Sequence, residues 1–342
     1  MMLELKEIEG IMNKKLLLLI GMVTLALFAG CGQSKEEGKT KEGKTSQAER
    51  EAGQAESREE SREESQVGSG EESKKESSGR EYTLSGSVKV EGRQGIAADT
   101  DYYYVSGSTT LTKYDKDWNV VAENKDPFSE GYTAEVNHIG DIDIYNGELY
   151  CGVELFLDGN ASNIQIAIYD AETLKLKRTF PFEAESGQTE CSGIAVNPDN
   201  STVWMCSWAD GESGRYLYQY DCNSGAYLGK VHMHAVPQWI QGVAYYDGSY
   251  YVTADDGDAD YDEPDHIYRF DISDDSTEAT AVEELILDDV TRQGEIEGLS
   301  FDEDQKELLV LYNRGARIIL GMPSGFYDGY TEEIHEVFVY KF

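Results

Sequence analysis

Between Asp255 and Asp265 the chain places seven carboxylates in eleven residues, at 255, 256, 258, 260, 262, 263 and 265. Oxygen ligands at alternate positions suit Ca²⁺, and Asp256, Asp258, Asp260 and Asp262 offer such a set. The run is not an EF-hand loop. Tyr261 stands where that loop needs glycine, and no glutamate follows at its last position. It also reads as a solvated acidic loop. His232 and His234 fall on one side of a strand, as two metal ligands would, with chance placement as the competing reading. Cys151, Cys191, Cys206 and Cys222 show no zinc-type spacing. The chain contains no G-x-S-x-G elbow, P-loop, G-x-G-x-x-G or H-E-x-x-H. No catalytic residue can be assigned from spacing alone.

The elements that must position these groups are marked by a repeat. Five times a glycine opens a short apolar strand, at Gly95, Gly140, Gly193, Gly242 and Gly298. The intervals of 45, 53, 49 and 56 residues are those of a β-propeller blade. Each copy continues through a Gly, Asn or Asp turn into an aromatic-rich second strand such as YYYVS or VWMCSW. A third strand ends in Tyr-Asp or Phe-Asp, at Asp115, Asp170, Asp221 and Asp271. A weaker fourth strand follows. The last copy stops at its third strand, and an orphan strand, YTLSGSVKV, precedes the first. These observations predict an all-β, five-bladed propeller over residues 81–342, its N-terminal strand closing the last blade and removing an exposed edge. Six blades would require a hidden repeat in 313–336. Cys191 and Cys206 then lie on adjacent strands of blade three, at mirrored distances from its turn. They are the candidate disulfide, with buried free thiols as the alternative.

The long segments 155–164, 208–215, 255–266 and 313–332 all fall on one face, and the turns of the other face are short. Long, varied loops on a rigid scaffold mark the working face. The residues before the repeat glycines form a ring at the channel mouth on that face: Gln94, Ile139, Ser192, Gln241 and Glu297. Two positions earlier the ring reads Gly92, Asn137, Glu190, Trp239 and Glu295, with Arg93, His138 and Cys191 between. Gln94, His138, Glu190, Ser192, Gln241, Glu295 and Glu297 are therefore the candidate binding residues for an unidentified small ligand or protein. Simple capping of strand ends is the alternative.

The glycine copies resemble those of NHL and SMP-30/gluconolactonase-type propellers. In the latter, a Glu-Gly pair at the mouth holds a divalent metal, and Glu297-Gly298 matches it. The resemblance implies Glu297 as a metal ligand, Ca²⁺ as the candidate cofactor, and a metal-dependent hydrolase or lactonase as the alternative to a binding module; Asp141, Glu190 and Asn313 are candidates for the remaining ligands by topology alone. It departs in blade number, since that family usually has six, and in the position of the Glu-Gly pair, which there usually lies in the first blade.

Upstream of the repeats, Lys14 and Lys15 precede an apolar run from Leu16 to Gly30. A bilayer-spanning helix needs about 20 residues, so this run is short for a span and suits an export signal. Ending in Phe28-Ala29-Gly30-Cys31, residues 1–31 resemble a bacterial lipoprotein signal, with Phe28 in place of the usual leucine. That resemblance implies a palmitate- and diacylglycerol-bearing Cys31 and attachment to the cell membrane on the extracytoplasmic side; the charge-then-apolar order, which begins at Met12, points to a natural start there. Residues 32–80 are polar, without aromatics, and are expected to be a disordered linker about 40 Å from end to end. The chain's net charge is −37, of which −34 falls within 81–342. Such a domain repels nucleic acid and anionic membrane surfaces and attracts cations or basic partners.

Overall fold

The computed structural model describes residues 78–342, apart from 130, 158, 182, 209, 210, 292, 293, 320 and 321. The signal and most of the linker, including Cys31, lie outside the described residues. The first strand is β1 (Thr83–Lys89). Blade 1 is β2 (Gly95–Ala98), β3 (Tyr102–Gly107), β4 (Thr110–Asp115) and β5 (Val120–Asn124). Blade 2 is β6 (His138–Tyr145), β7 (Glu148–Leu157), β8 (Asn160–Asp170) and β9 (Leu176–Pro181). Blade 3 is β10 (Ile194–Asn197), β11 (Thr202–Met205), β12 (Tyr216–Asp221) and β13 (Tyr227–His234). Blade 4 is β14 (Ile240–Tyr246), β15 (Ser249–Ala254) and β16 (His266–Phe270), then, after β17 (Glu278–Thr280), β18 (Val282–Ile286). Blade 5 is β19 (Glu295–Asp302) and β20 (Glu307–Arg314), then, after the hairpin β21 (Ala316–Ile319) and β22 (Met322–Phe326), β23 (Ile334–Lys341).

The ring closes as expected. β1 pairs antiparallel with β23, from Thr83 opposite Lys341 to Lys89 opposite Glu336. The 313–336 segment holds only the β21–β22 hairpin, so the blades number five. Two expectations need correction. Segment 155–164 is not a loop: the β7–β8 ladder continues to Leu157 opposite Asn160. The connection from β16 to β18 also lends β17 to blade 3, where it runs parallel to β13 and pairs His232 with Glu278. His234 Nε2 lies 2.9 Å from Glu278 Oε2 and packs 4.9 Å from the His232 ring. These two histidines therefore serve a sheet edge.

The core consists of five apolar layers, each between neighbouring blades. In β7, Leu149 and Cys151 face blade 1, while Tyr150 faces blade 3. Both faces of the strand are covered, so the second strands read as apolar runs and not as alternating patterns. The Tyr-Asp ends are turn caps. Asp170 Oδ1 accepts from Thr173 N at 2.9 Å, and Asp221 Oδ1 accepts from Ser224 N at 2.8 Å.

The repeat glycines have one shared cause. An added Cβ would lie 2.6 Å from Asp141 Cα at Gly95, 2.8 Å from Ser192 O at Gly140 and 2.7 Å from Cys206 Sγ at Gly193. It would lie 2.7 Å from Gly298 Cα at Gly242 and 2.8 Å from Gly95 Cα at Gly298. Except at Gly193, where the nearest atom belongs to its own blade and Gly242 C follows at 3.0 Å, each of these contacts is with the next blade. Only glycine lets five inner strands converge this closely. A hydrogen bond joins each pair of blades at the same level. Ser106 Oγ donates to Gly140 O at 2.8 Å, Asp141 N to Ser192 O at 2.8 Å and Ser192 Oγ to Ile240 O at 2.7 Å. Thr253 Oγ1 donates to Glu297 O at 2.8 Å, and Gly298 N to Gln94 O at 2.9 Å. Register shifts at the glycines of β6, β14 and β19 bend those strands toward the axis.

Candidate functional site

Just below the mouth, Asp141 plugs the axis. Its Oδ2 accepts from Val243 N of blade 4 at 3.1 Å. Its Oδ1 sits 2.7 Å and 2.3 Å from where Cβ atoms on Gly95 and Gly298 would stand. One side chain of blade 2 thus reaches blades 1, 4 and 5. Asp141 is 1% exposed, and Oδ1 has no hydrogen-bond partner. Burial pushes its carboxyl well above the usual range.

Above the plug, blades 5 and 1 bring together Glu295, Glu297, Asn313, Arg93 and Gln94. Glu297 is 2% exposed and Glu295 4%. Gln94 Nε2 donates to Glu297 Oε1 at 3.3 Å, and Gln241 Nε2 from blade 4 donates to Glu295 Oε1 at 2.9 Å. Burial pushes Glu295 up to about 7 against the pull of the Arg93 guanidinium. Burial, then the neighbouring Glu295 carboxyl, lifts Glu297 well above its ordinary value. The two acids cannot both ionise cheaply without a counter-charge. Arg93 Nη1 lies 3.5 Å from Glu333. Asn313 is opposite Glu295 in the ladder and continues the Leu309–Leu311 face toward blade 1. It is fully buried, and neither side-chain atom finds a partner.

The blade 2–3 side of the mouth holds a second group. Glu154 is fully buried, and its Oε2 accepts from Cys191 N at 2.9 Å. Its Oε1 lies 3.4 Å from His138 Nδ1, with no hydrogen bond made by either atom. Glu190 Oε2 accepts from Trp208 N. The Trp208 and Trp239 rings lie 4.9 Å apart at the rim, and neither indole N–H has a partner.

Of the seven predicted mouth residues, Gln94, Gln241, Glu295 and Glu297 form one connected group, while His138 and Glu190 lie toward blades 2 and 3. Ser192 is taken by the fold, since its hydroxyl ties blade 3 to Ile240. Sequence reasoning missed Glu154 and Trp208. The available signal for Glu154 was a lone acid inside the apolar run LYCGVELF. A groove of about 490 Å³ between β1 and blade 1, lined by Tyr103, Lys116 and Trp118, holds none of the predicted residues.

The metal expectations do not fit the donors. Among the described residues, no group of three or more His, Cys, Asp or Glu side chains is placed to hold a metal ion. In the set Glu297, Asp141, Glu190 and Asn313, Glu190 turns to the Trp208 amide and Asp141 is wedged between glycines. The acidic loop disperses as well. Asp256 accepts from Tyr268 OH at 2.8 Å and pairs with His266 Nδ1 at 2.8 Å, while Asp260 takes both guanidinium nitrogens of Arg317. Asp258 Oδ1 accepts from Asp260 N at 2.9 Å, and Asp262 holds a left-handed turn at φ 54°. These acids serve loop structure and do not form the expected Ca²⁺ cage. Thermal scans with and without EDTA are accordingly expected to give the same midpoint. A fall on chelation that Ca²⁺ reverses would contradict this geometry.

The expected Cys191–Cys206 disulfide is also absent, and both are buried free thiols. Cys206 N pairs with Gly193 O, so the mirrored position belongs to the glycine. The two sulfurs face opposite sides of blade 3, Cys191 in the layer shared with blade 2 and Cys206 in the layer shared with blade 4.

Fold and site together define a five-bladed β-propeller with an acid-rich mouth built of buried side chains. No family model matches the chain, and no curated protein matches it in sequence. Among solved structures it is similar to Kuenenia stuttgartiensis hydrazine synthase, at 13% identity and a TM-score of 0.39 over 67% of this chain and 58% of that one. It thus spans less than two thirds of that protein. The gluconolactonase XC5397 of Xanthomonas campestris overlaps at 11% identity and TM-score 0.40, over 70% of this chain and 68% of that one. The Malassezia sympodialis allergen Mala s 1 overlaps at 12% identity and TM-score 0.44, over 73% and 78%. Overlap of this kind carries no activity with it.

Proposed function

We propose that the domain is a ligand-binding module that works through its mouth, held outside the cytoplasmic membrane by a lipid on Cys31. The observation that carries the binding reading is the gathering at that one end of buried polar atoms without a hydrogen bond: Asp141 Oδ1 and both polar atoms of Asn313, with Arg93 Nη1 and the His138 Nδ1–Glu154 Oε1 pair held only by contacts of 3.5 and 3.4 Å. Buried polar atoms are nearly always paired, so such a gathering calls for a bound molecule or ordered water. The hydrolase reading loses support because its metal donors do not converge.

The approach of the chain favours the same face. β1 begins opposite Lys341, at the turn end of blade 5, away from the mouth. Just before it, Arg80 Nη1 donates to Tyr251 OH at 2.6 Å, and its guanidinium lies 5.0 Å from the Tyr246 ring centroid and pairs with Asp247. Residues 80–83 therefore lie at the face opposite the mouth.

The binding reading is tested by thermal shift of the full chain against cationic, neutral and anionic polar small molecules. A stabilising hit should disappear in Trp208→Ala, with circular dichroism confirming the fold. Hits unaffected by that change, or none in any charge class, would sink it. For the anchor, Cys31→Ser should move the protein from the membrane fraction to the soluble one. A cleaved product of this variant that still needs detergent would remove the lipid.

A further inference from the structure

We infer that the mouth is built for an organic ammonium group, which sits between blades 5 and 1 against Glu297, Glu295 and Asn313. This rests on the binding reading above and assigns its ligand a chemical class.

Acids outnumber bases at the mouth: Asp141, Glu154, Glu190, Glu295 and Glu297 stand against Arg93 and His138. Arg93 is shared with Glu333 at 3.5 Å. An anionic ligand would meet this excess directly. The domain's net charge of −34 adds a field that draws cations in from a distance.

Hydrogen-bonding capacity supplies the second argument, and it is independent of charge. Asn313 Oδ1 and Asp141 Oδ1 are acceptors on side chains no more than 1% exposed and receive no hydrogen bond, and Glu154 Oε1 has only the His138 Nδ1 contact at 3.4 Å. An alkylammonium brings three N–H donors and no acceptor. A neutral polyol can donate through each hydroxyl but brings no positive charge to balance the paired acids. The unpartnered donors, by contrast, lie mostly beside acids or at the rim: Arg93 Nη1 near Glu333, His138 Nδ1 near Glu154, and the two indole N–H groups at the half-buried Trp208 and its neighbour.

The third argument is shape. A bare divalent ion needs six to eight converging oxygens, or six in near-octahedral array. No such convergence exists among the described residues. An ammonium needs only two or three acceptors, and its alkyl stem or charge can lie on an indole face. Trp208 and Trp239, 4.9 Å apart beside Glu190 on the blade 3–4 side of the mouth, offer such a face. The group could belong to a free polyamine or to a lysine side chain of another protein, and the experiment separates the two.

The test is titration of the full-length protein in detergent at about 0.15 M salt, followed by calorimetry and tryptophan emission. The probes are spermidine, N-acetyl-lysine methylamide, glucose and gluconate. One amine or both should bind saturably at one site per chain, and the two sugars should not. Binding should weaken at least tenfold in Glu297→Gln and in Trp208→Ala, and change less than twofold in Asp262→Asn, which lies in the exposed acidic loop. Glu295→Gln serves as a second mouth variant if Glu297→Gln fails to fold. Spermidine alone points to a free polyamine, and the lysine derivative to a protein side chain. Either supports the ammonium assignment. Amine binding that never saturates, or that falls equally in Asp262→Asn, is diffuse surface attraction and overturns it. Glucose or gluconate binding at the mouth without the amines overturns the ligand class and leaves the binding reading standing. If no probe binds, both fall.

Discussion

Gly298→Ala is expected to lower the thermal midpoint by roughly 10 °C, equivalent to about 3 kcal/mol for a domain of this size. The added methyl would stand 2.3 Å from Asp141 Oδ1, 2.8 Å from Gly95 Cα and 3.0 Å from Ile96 N. The last two are backbone atoms of the next blade's inner strand, so the clash cannot be relieved by a rotamer change. Gly298 N also donates to Gln94 O across the same junction, so any shift that makes room stretches a bond that closes the ring. Gly248→Ala is the control. Gly248 occupies a turn at φ 80° with nothing near the new methyl, so its cost is backbone strain of about 1 kcal/mol. Adding Asp141→Ala to Gly298→Ala should recover only part of the loss, because the backbone contacts remain. Equal midpoints for Gly298→Ala and Gly248→Ala, by calorimetry, would remove the glycine ring as the reason for the repeat.

Raising the pH from about 4.5 to 8 should destabilise the domain by several kcal/mol. Burial lifts Glu295 to about 7, Asp265 to about 7 and Asp143 to about 6, and raises Asp141 and Glu297 strongly. A carboxyl with a raised native pKa binds its proton more tightly folded than unfolded. Its contribution is fully present below the unfolded value near 4 and is lost as pH climbs through the native value. Glu295 alone accounts for on the order of 3 kcal/mol across that window. Repulsion among the surface acids grows in the same direction. Glu148 works in the other direction but outside this window: held at about 2 first by its hydrogen bond from Arg178, it contributes fully above pH 4.5 and loses that contribution only as pH falls below it. Glu295→Gln keeps the acceptor for Gln241 and removes the titration. It should match the parent at pH 4.5 and exceed it at pH 8, in urea unfolding followed at both values. A parent domain that gains stability from 4.5 to 8 would show that these acids ionise freely and that the mouth is open to water.

The blade plan was legible because one physical constraint acts five times. Each inner strand must pass within contact of the next, so glycine recurs at a fixed place in every unit. The turn residues and the capping Asp after Tyr recur for the same kind of local reason. The orphan strand could be placed because an unpaired third strand and an unpaired leading strand satisfy each other. The mouth positions were legible as a ring, since they are counted from the glycines.

What those positions do was less legible. Gln94 and Ser192 occupy equivalent places, yet one side chain supports Glu297 while the other binds its neighbour's backbone. Asp141 was named as a metal ligand and is a wedge on the axis. Cys191 and Cys206 looked like partners by distance along the chain, but the ladder sets Cys206 against Gly193 and turns the two sulfurs to opposite layers. The seven acids of 255–265 looked like a cage, but Asp256 turns to His266 and Tyr268 on the next strand and Asp260 to Arg317, 57 residues away.

Determined by the amino-acid sequence alone were the fivefold repeat, the closing strand and the surplus of acid. All follow from local periodicity and composition, which each segment carries by itself. Tertiary structure alone decided which acids are buried together, which lack partners and which are spent on holding loops. Those outcomes depend on blades 1 and 5 meeting across nearly the whole domain, and on burial, which shifts a carboxyl only once its neighbours have excluded water.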